Sequence, residues 1–215
     1  MSLTLVIGNK NYSSWSLRPW LAMKQAGLAF GEVRIPLARP ETTAQILRYT
    51  PSGRVPCLLD GALTVWDSMA ICEYVNEQYA GGGLWPQDVG RRARARSVAA
   101  EMHSGFAALR AHLSMDIRAY RPDDGAAALA RPQVSAEVAR VQGLWSECLR
   151  ACGGPFLFGD FSIADAFFAP VVTRFRTYAI PLAEPLARYS DAIFALTAMQ
   201  EWVAAAAVEP ETIDD

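Results

Sequence analysis

The run Tyr12-Ser13-Ser14-Trp15-Ser16 places four hydroxyls within five residues, after a short apolar run and before a helical pattern. A hydroxyl at such a position has two uses. It can cap the helix, whose first backbone N–H groups have no partners within it. It can also donate to an anion, because those N–H groups and the helix dipole favour negative charge, thiolates included. One of the three serines is expected to serve as the cap. A second polar pair, Asp67-Ser68, stands at another predicted helix start. There the serine hydroxyl and free N–H groups suit a carboxylate and Asp67 suits an ammonium, with simple capping as the competing use. Between the two lies Arg54-Val55-Pro56-Cys57, where a proline enters a predicted strand. A proline cannot donate to the ladder, so a special turn, or a cis Val55–Pro56 bond, is one solution there.

Other polar groups read as architecture. Ser162-Ile163-Ala164-Asp165 has the form of a capping box, with Phe161 as the staple residue. Cys57, Cys72, Cys148 and Cys152 form no C-x-x-C pair and read as reduced thiols. Cys148 and Cys152 are one helical turn apart, but the two histidines are remote, so no metal site is expected. The basic run Arg91 to Arg96 opens a helix against its dipole and calls for acidic neighbours. His103, Phe106 and Arg110 are placed to line a cleft between two halves of the chain.

The elements that must hold these residues differ along the chain. Leu3–Ile7 is β-rich, and a helix over Ser16–Ala26 must begin near Ser14 to Ser16 because Pro19 belongs in an early turn. A strand at Glu32–Pro36, a short helix at Glu41–Tyr49, strands Val55–Leu59 and Leu63–Trp66 around the Asp60-Gly61 turn, and a helix at Asp67–Tyr79 follow. The order β-α-β-α-β-β-α gives a mixed four-stranded sheet: the crossover helix makes the first two strands parallel, and the hairpin is antiparallel. After Ala80-Gly81-Gly82-Gly83 only helices are predicted: Arg91–Ala119, Pro132–Cys152, Ile163–Thr177 and two short ones between Leu182 and Ala207. Breaks are expected at Arg121–Gly125, Gly153–Pro155 and Pro181. The expected domains are 1–80 and 91–215, joined by a linker at 81–90.

Composition narrows the function. At 215 residues and 52% hydrophobic, the chain can bury a sizeable core. Its net charge of -2 excludes nucleic-acid binding driven by bulk positive charge and gives no reason for polybasic membrane docking. No apolar run reaches the roughly 18 residues of a spanning helix. The first residues lack a basic segment followed by a long apolar one, so no secretory signal is expected.

Taken in order, these segments resemble a cytosolic glutathione transferase over nearly the whole chain. The resemblance rests on the serine loop with Leu17-Arg18-Pro19-Trp20-Leu21, on Pro51-Ser52-Gly53-Arg54-Val55-Pro56, and on Asp67-Ser68 with Ile71 and Glu73-Tyr74. Leu84-Trp85-Pro86 and Gly159-Asp160-Phe161-Ser162-Ile163-Ala164-Asp165 extend it through the second half. It implies a thioredoxin-like α/β N-terminal domain that binds glutathione, followed by an all-α domain that supplies the substrate pocket. By position, Val55 matches the residue whose backbone pairs with the cysteinyl unit, Pro56 the cis proline, and Asp67 and Ser68 the pair holding the γ-glutamyl end. Arg54, Arg39 or Arg48 would take the glycyl carboxylate. Ser13 and Ser14 match the catalytic serine pair of the zeta class. Ser13 stands five residues before Arg18, as the first serine does in that pattern. Trp15 stands where the zeta class has a cysteine, and with His103, Phe106 and Arg110 it would line the electrophile pocket. The implied activity is conjugation of the glutathione thiolate to a small hydrophobic electrophile. A glutathione-dependent isomerase or peroxidase, or a non-catalytic ligand-binding protein of the same fold, are the alternatives. The family also implies a cytoplasmic homodimer, with glutathione as cosubstrate, no metal, and no nucleic-acid or membrane partner.

Overall fold

Leu5, Val6 and Ile7 are fully buried, as a strand flanked on both edges and covered on both faces requires. They belong to β1 (Leu3–Ile7), which sits inside a sheet with β2 (Phe30–Arg34), β3 (Cys57–Asp60) and β4 (Leu63–Val65). The computed structural model, which describes residues 3–213, orders these strands β2-β1-β3-β4. β1 runs parallel to β2 and antiparallel to β3, and β3 runs antiparallel to β4. The parallel pair is joined by α1 (Ser14–Gln25), as a crossover demands. The expected mixed thioredoxin-like sheet is therefore present. β2 lies two residues earlier than its sequence pattern suggests. Its register pairs Leu3 with Phe30 and Ile7 with Arg34, which leaves Pro36, a residue without an N–H, beyond the ladder. α2 (Thr42–Ile46) is shorter than predicted, and α3 (Ser68–Gln78) completes this part.

Seven further helices follow among the described residues: α4 (Val89–Ser104), α5 (Ala107–His112), α6 (Pro122–Leu129), α7 (Pro132–Cys152), α8 (Ile163–Thr177), α9 (Leu186–Ala195) and α10 (Thr197–Ala207). The single helix predicted over Arg91–Ala119 is instead broken. Gly105 turns to an extended conformation, and Phe106 is left-handed at φ 60°. A Cβ at Gly105 would lie 2.9 Å from the Glu101 carbonyl oxygen. The segment Arg121–Gly125, predicted as a break, starts α6. Pro122 fits the first turn, where no N–H partner is needed, and Asp123 and Asp124 complement the dipole. No helix of the described residues is long and apolar enough to cross a membrane.

Two helices form the centre. Every residue of α1 from Ser16 to Met23 is buried, and so is every residue of α8 from Ile163 to Phe175. α1 packs on the sheet side against α3 and on the other side against α8 and α10. Trp20 of α1 meets Trp202 of α10 edge-on at 5.0 Å. The chain end then returns to the start of α1. The Glu209 carboxylate accepts the Lys10 N–H at 2.7 Å and the Asn11 N–H at 3.0 Å, and the Trp202 indole N–H donates to the Lys10 carbonyl at 2.8 Å. Nearly 200 residues of sequence separate the partners that fix the loop between β1 and α1.

Candidate active site

Three chain segments meet around a cavity of about 460 Å³: the start of α1, the turn before β3, and the start of α3. Its walls are Trp15, Ser52, Arg54, Val55, Pro56, Trp66, Asp67 and Ser68. All five residues expected to contact glutathione are among them. The Val55–Pro56 bond is cis, and so is Trp66–Asp67. Arg54, not Arg39 or Arg48, is the arginine on this wall.

At the start of α3, capping and recognition coincide. One Asp67 oxygen accepts the N–H groups of Met69 and Ala70 at 3.0 and 3.5 Å. The other lies 3.1 Å from Nε2 of His103 on α4. Burial lowers the His103 pKa, against the pull of Asp67. The imidazole is therefore mainly neutral at pH 7 and donates to the carboxylate as an N–H rather than as a full cation. Ser68 is fully buried, and its Oγ has no hydrogen-bond partner among the described residues.

The serine loop is tighter than its sequence suggests. Ser13 occupies the cap position of α1 but makes no side-chain cap bond. Its Oγ lies 2.7 Å from Ser16 Oγ, which itself accepts the Gly8 N–H at 3.1 Å. Ser16 is thus the internal brace of the loop. Ser13 and Ser14 are both nearly buried, and neither lines the cavity; Trp15, 36% exposed, does.

Of the four residues expected to line an electrophile pocket, Trp15 and His103 lie together, their rings edge-on at 5.4 Å. Arg110 lies behind them, its guanidinium 4.8 Å from the Trp15 ring. It donates to the carbonyls of Gly105 and His103, each at 3.0 Å, and to that of Met102, closing the C-terminal end of α4. Phe106 is buried at the start of α5 and does not reach the cavity wall. The basic run finds its acids within the chain: Asp88 caps α4, Arg94 pairs with Glu147 at 2.6 Å, and Arg96 lies 3.4 Å from Glu73. All four cysteines are free. Burial pushes Cys57 and Cys148 up to about 11, so neither is a ready nucleophile.

Sequence reasoning passed over two residues that bear on the site. Arg18 reads as part of a helix motif but is fully buried with its guanidinium 4.2 Å from the Trp15 ring. A charged residue on an apolar helix face was the available signal. Glu209 carries no local signal at all, since its partners are the backbone of a distant loop.

This sheet-and-helix arrangement is the fold of the glutathione transferases. Residues 12–78 match the family model described as the glutathione S-transferase, N-terminal domain. Glutathione S-transferase Z2 of Arabidopsis thaliana is 27% identical over 204 residues, which is 90% of each chain. Dichloromethane dehalogenase of Methylorubrum extorquens is 42% identical over 65 residues, 29% of this chain and 23% of that one. A glutathione transferase homologue from Sulfitobacter, solved with bound glutathione, superposes with a TM-score of 0.71 at 25% identity, covering 93% of this chain and 96% of that one. Residues 12–78 thus carry a glutathione S-transferase N-terminal domain, and the chain as a whole is similar to glutathione S-transferases.

Proposed function

We propose that the cavity beside Trp15 binds glutathione and that the protein transfers its thiolate to a small electrophile. The observation that carries this reading is the fully buried Ser68 hydroxyl, which has no hydrogen-bond partner among the described residues and stands beside Asp67 at the N-terminus of α3. A γ-glutamyl carboxylate would accept from that hydroxyl and from the Ser68 N–H, which the Asp67 cap leaves unused, while Asp67 takes the ammonium. The Val55 backbone pairs with the cysteinyl unit in the manner of a strand edge, Pro56 shapes that turn, and Arg54 takes the glycyl carboxylate. A Sulfitobacter homologue solved with bound glutathione supports glutathione as the ligand. Residues 1–80 form the glutathione-binding domain in this reading and 91–215 the domain of the electrophile pocket, with 81–90 between them.

Chemistry then depends on the thiol. A free thiol with pKa about 8.5 is only a few per cent thiolate at pH 7. Because Ser16 Oγ already accepts from Gly8, its own hydrogen is available to Ser13 Oγ, which frees the Ser13 hydrogen for the sulfur. One such hydrogen bond to a charged group contributes about 1.5–3 kcal/mol, or roughly one to two pKa units. The start of α1 adds roughly 0.3–1 kcal/mol. Ser14 is the alternative donor from the same loop. The thiolate then attacks an electrophile held against Trp15 and His103, with proximity lowering the barrier further.

A homodimer in the cytoplasm goes with this reading; the four free cysteines fit a reducing compartment. Calorimetric titration with glutathione, followed by turnover of 1-chloro-2,4-dinitrobenzene, tests it. Binding with turnover is expected. Binding without turnover on this aromatic chloride moves the assignment to the isomerase or peroxidase chemistry of the same thiolate. No binding overturns the reading.

A further inference from the structure

The loop that carries Ser13 is held from behind by residues 209–213. The loop joins β1 to α1, and within it the Asn9 carbonyl accepts the Tyr12 and Ser13 N–H groups at 3.2 and 2.8 Å. That turn leaves the Lys10 and Asn11 N–H groups without a partner inside it, and one carboxylate takes both. Glu209 Oε1 accepts from Lys10 at 2.7 Å, and Oε2 accepts from Asn11 at 3.0 Å. The Asn11 side chain extends the contact: Nδ2 donates to Asp116 Oδ1 at 2.7 Å, and Oδ1 accepts the Arg118 N–H at 3.0 Å. Arg118 then fixes the segment that carries Glu209. Its guanidinium donates to the Glu209 carbonyl at 2.6 Å and to the Glu211 carbonyl at 2.8 Å. Tyr12 closes the ring, its phenol oxygen accepting from Arg118 at 3.2 Å and from the Ile213 N–H at 3.3 Å. Tyr12 is thus bonded to this segment and does not line the cavity.

Burial in this segment runs against hydropathy. Val208 is 81% exposed, while its acidic neighbour Glu209 is only 8% exposed. Packing alone would choose the reverse, since a carboxylate leaves water only where its oxygens are bonded. Here they are bonded to the backbone of one loop. Hydrogen bonds to an ionised acceptor are roughly twice as strong as neutral ones, and two of them on one side chain fix both N–H groups together. What they hold lies two residues further on. From the α1 side, Ser13 Oγ is 2.7 Å from Ser16 Oγ, which accepts the Gly8 N–H at 3.1 Å. From the other side, Glu209 fixes the backbone just before Ser13. Ser13 makes no side-chain cap bond, so this fixing does not serve a helix cap. It does serve a donor that must meet a sulfur, because a hydrogen bond weakens steeply below an angle of about 120°, and a misplacement of about 1 Å can cost on the order of a hundredfold in rate.

We propose that Glu209 is a positioning residue for the thiol chemistry: through the Lys10 and Asn11 N–H groups it holds Ser13 where its hydroxyl meets the sulfur of glutathione, and Arg118 holds Glu209 in turn. The proposal rests on Ser13 as the donor to the thiolate, and the test separates the two. Its first readout needs no ligand. Amide hydrogen exchange over residues 10–13 of the whole protein should be faster by about tenfold or more in Glu209→Gln, a larger change than over α8. The second readout is the ultraviolet thiolate absorbance of bound glutathione against pH. Glu209→Gln should raise the bound thiol pKa by about one unit and lower kcat/KM for 1-chloro-2,4-dinitrobenzene about tenfold below that pKa. Affinity for S-methylglutathione, which has no thiol, should stay within about twofold, a split that general loosening of the site would not produce. Added to Ser13→Ala, Glu209→Gln should raise the pKa no further, as expected when one residue acts through the other. Arg118→Met keeps the carboxylate but frees its backbone; it should act in the same direction and stands in if Glu209→Gln fails to fold. Glu201→Gln, which breaks the exposed pair with Lys24 of α1, should change none of these readouts. Unchanged exchange over residues 10–13 in both variants overturns the proposal. So does a pKa rise that is equal with and without Ser13. A depressed wild-type thiol pKa that neither variant moves overturns the proposal and leaves Ser13 as donor. A wild-type protein that leaves the thiol undepressed, with exchange still accelerated in the variants, removes Ser13 as donor and reduces Glu209 to a brace of the loop.

Discussion

The two ends of α8 bury one charged group each, and they treat it in opposite ways. At the N-terminus Asp165 is fully buried and fully bonded: Oδ1 accepts the Leu157 N–H at 3.0 Å, and Oδ2 accepts the Ser162 N–H and hydroxyl at 2.8 and 2.9 Å. At the C-terminal end Arg174 is also buried, yet two of its nitrogens have no hydrogen-bond partner among the described residues. A buried charge with both oxygens bonded fixes a structure. A buried charge with unused donors is held against the stability of the fold. The contrast separates the capping box, whose acid is met by donors from three directions, from a buried arginine that the fold leaves partly unbonded.

The largest effect should come from breaking the satisfied end. Asp165→Ala leaves the Leu157 and Ser162 N–H groups buried without acceptors and removes the cap, at a cost of roughly 3–5 kcal/mol in urea unfolding. A cost below about 1 kcal/mol would erase the contrast. The same residue sets a pH dependence. Burial pushes Asp165 up to about 6, against the pull of its hydrogen bonds, so the folded chain holds this proton more firmly than the unfolded chain does. Its contribution to stability is therefore full below about pH 4, falls as the pH rises to about 6, and is level above that. Melting temperatures of wild type and Asp165→Asn across that window should diverge, the wild type losing ground as pH rises.

At the unsatisfied end the sign should reverse. Arg174→Met replaces an unpaired buried charge with an apolar chain of similar length and is expected to stabilise the ligand-free protein by about 1–3 kcal/mol. Destabilisation of that size in the same denaturant experiment would mean that the guanidinium is satisfied within the fold. Ser68→Ala sharpens the comparison at the cavity itself. Removing an unpartnered hydroxyl should leave the unfolding midpoint nearly unchanged but weaken glutathione by about 1–3 kcal/mol in a calorimetric titration. Unchanged affinity would take Ser68 out of the site.

Much of this was legible before any coordinates. The parallel first pair and the antiparallel hairpin followed from one crossover helix and one turn, and the capping box at Ser162 followed from a four-residue signature. Trp15, Arg54, Val55, Pro56, Asp67 and Ser68 of the cavity wall were singled out because they stand near a helix or strand start, where local spacing carries the signal, whereas Ser52 and Trp66 were not. What escaped was set partly by local backbone detail and partly by distant contacts. The break at Gly105–Phe106 depends on backbone crowding against Glu101, within a stretch whose periodicity reads as one helix. Arg121–Gly125 holds both turn residues and a first-turn proline with two acids, and the second set prevailed. The roles of Arg18 and Glu209 depend on partners, or on the lack of them, that only the folded chain brings together.

The central claim is that the serine loop holds the glutathione thiol as a thiolate. Ultraviolet thiolate absorbance of bound glutathione, followed against pH in the wild type, Ser13→Ala and Ser14→Ala, tests it most directly. The account predicts a bound thiol pKa at least one unit or so below the free value of about 8.5, returning upward by roughly one to two units in Ser13→Ala and little changed in Ser14→Ala. A bound thiol that titrates like the free one, or a depressed pKa that neither substitution moves, would contradict it.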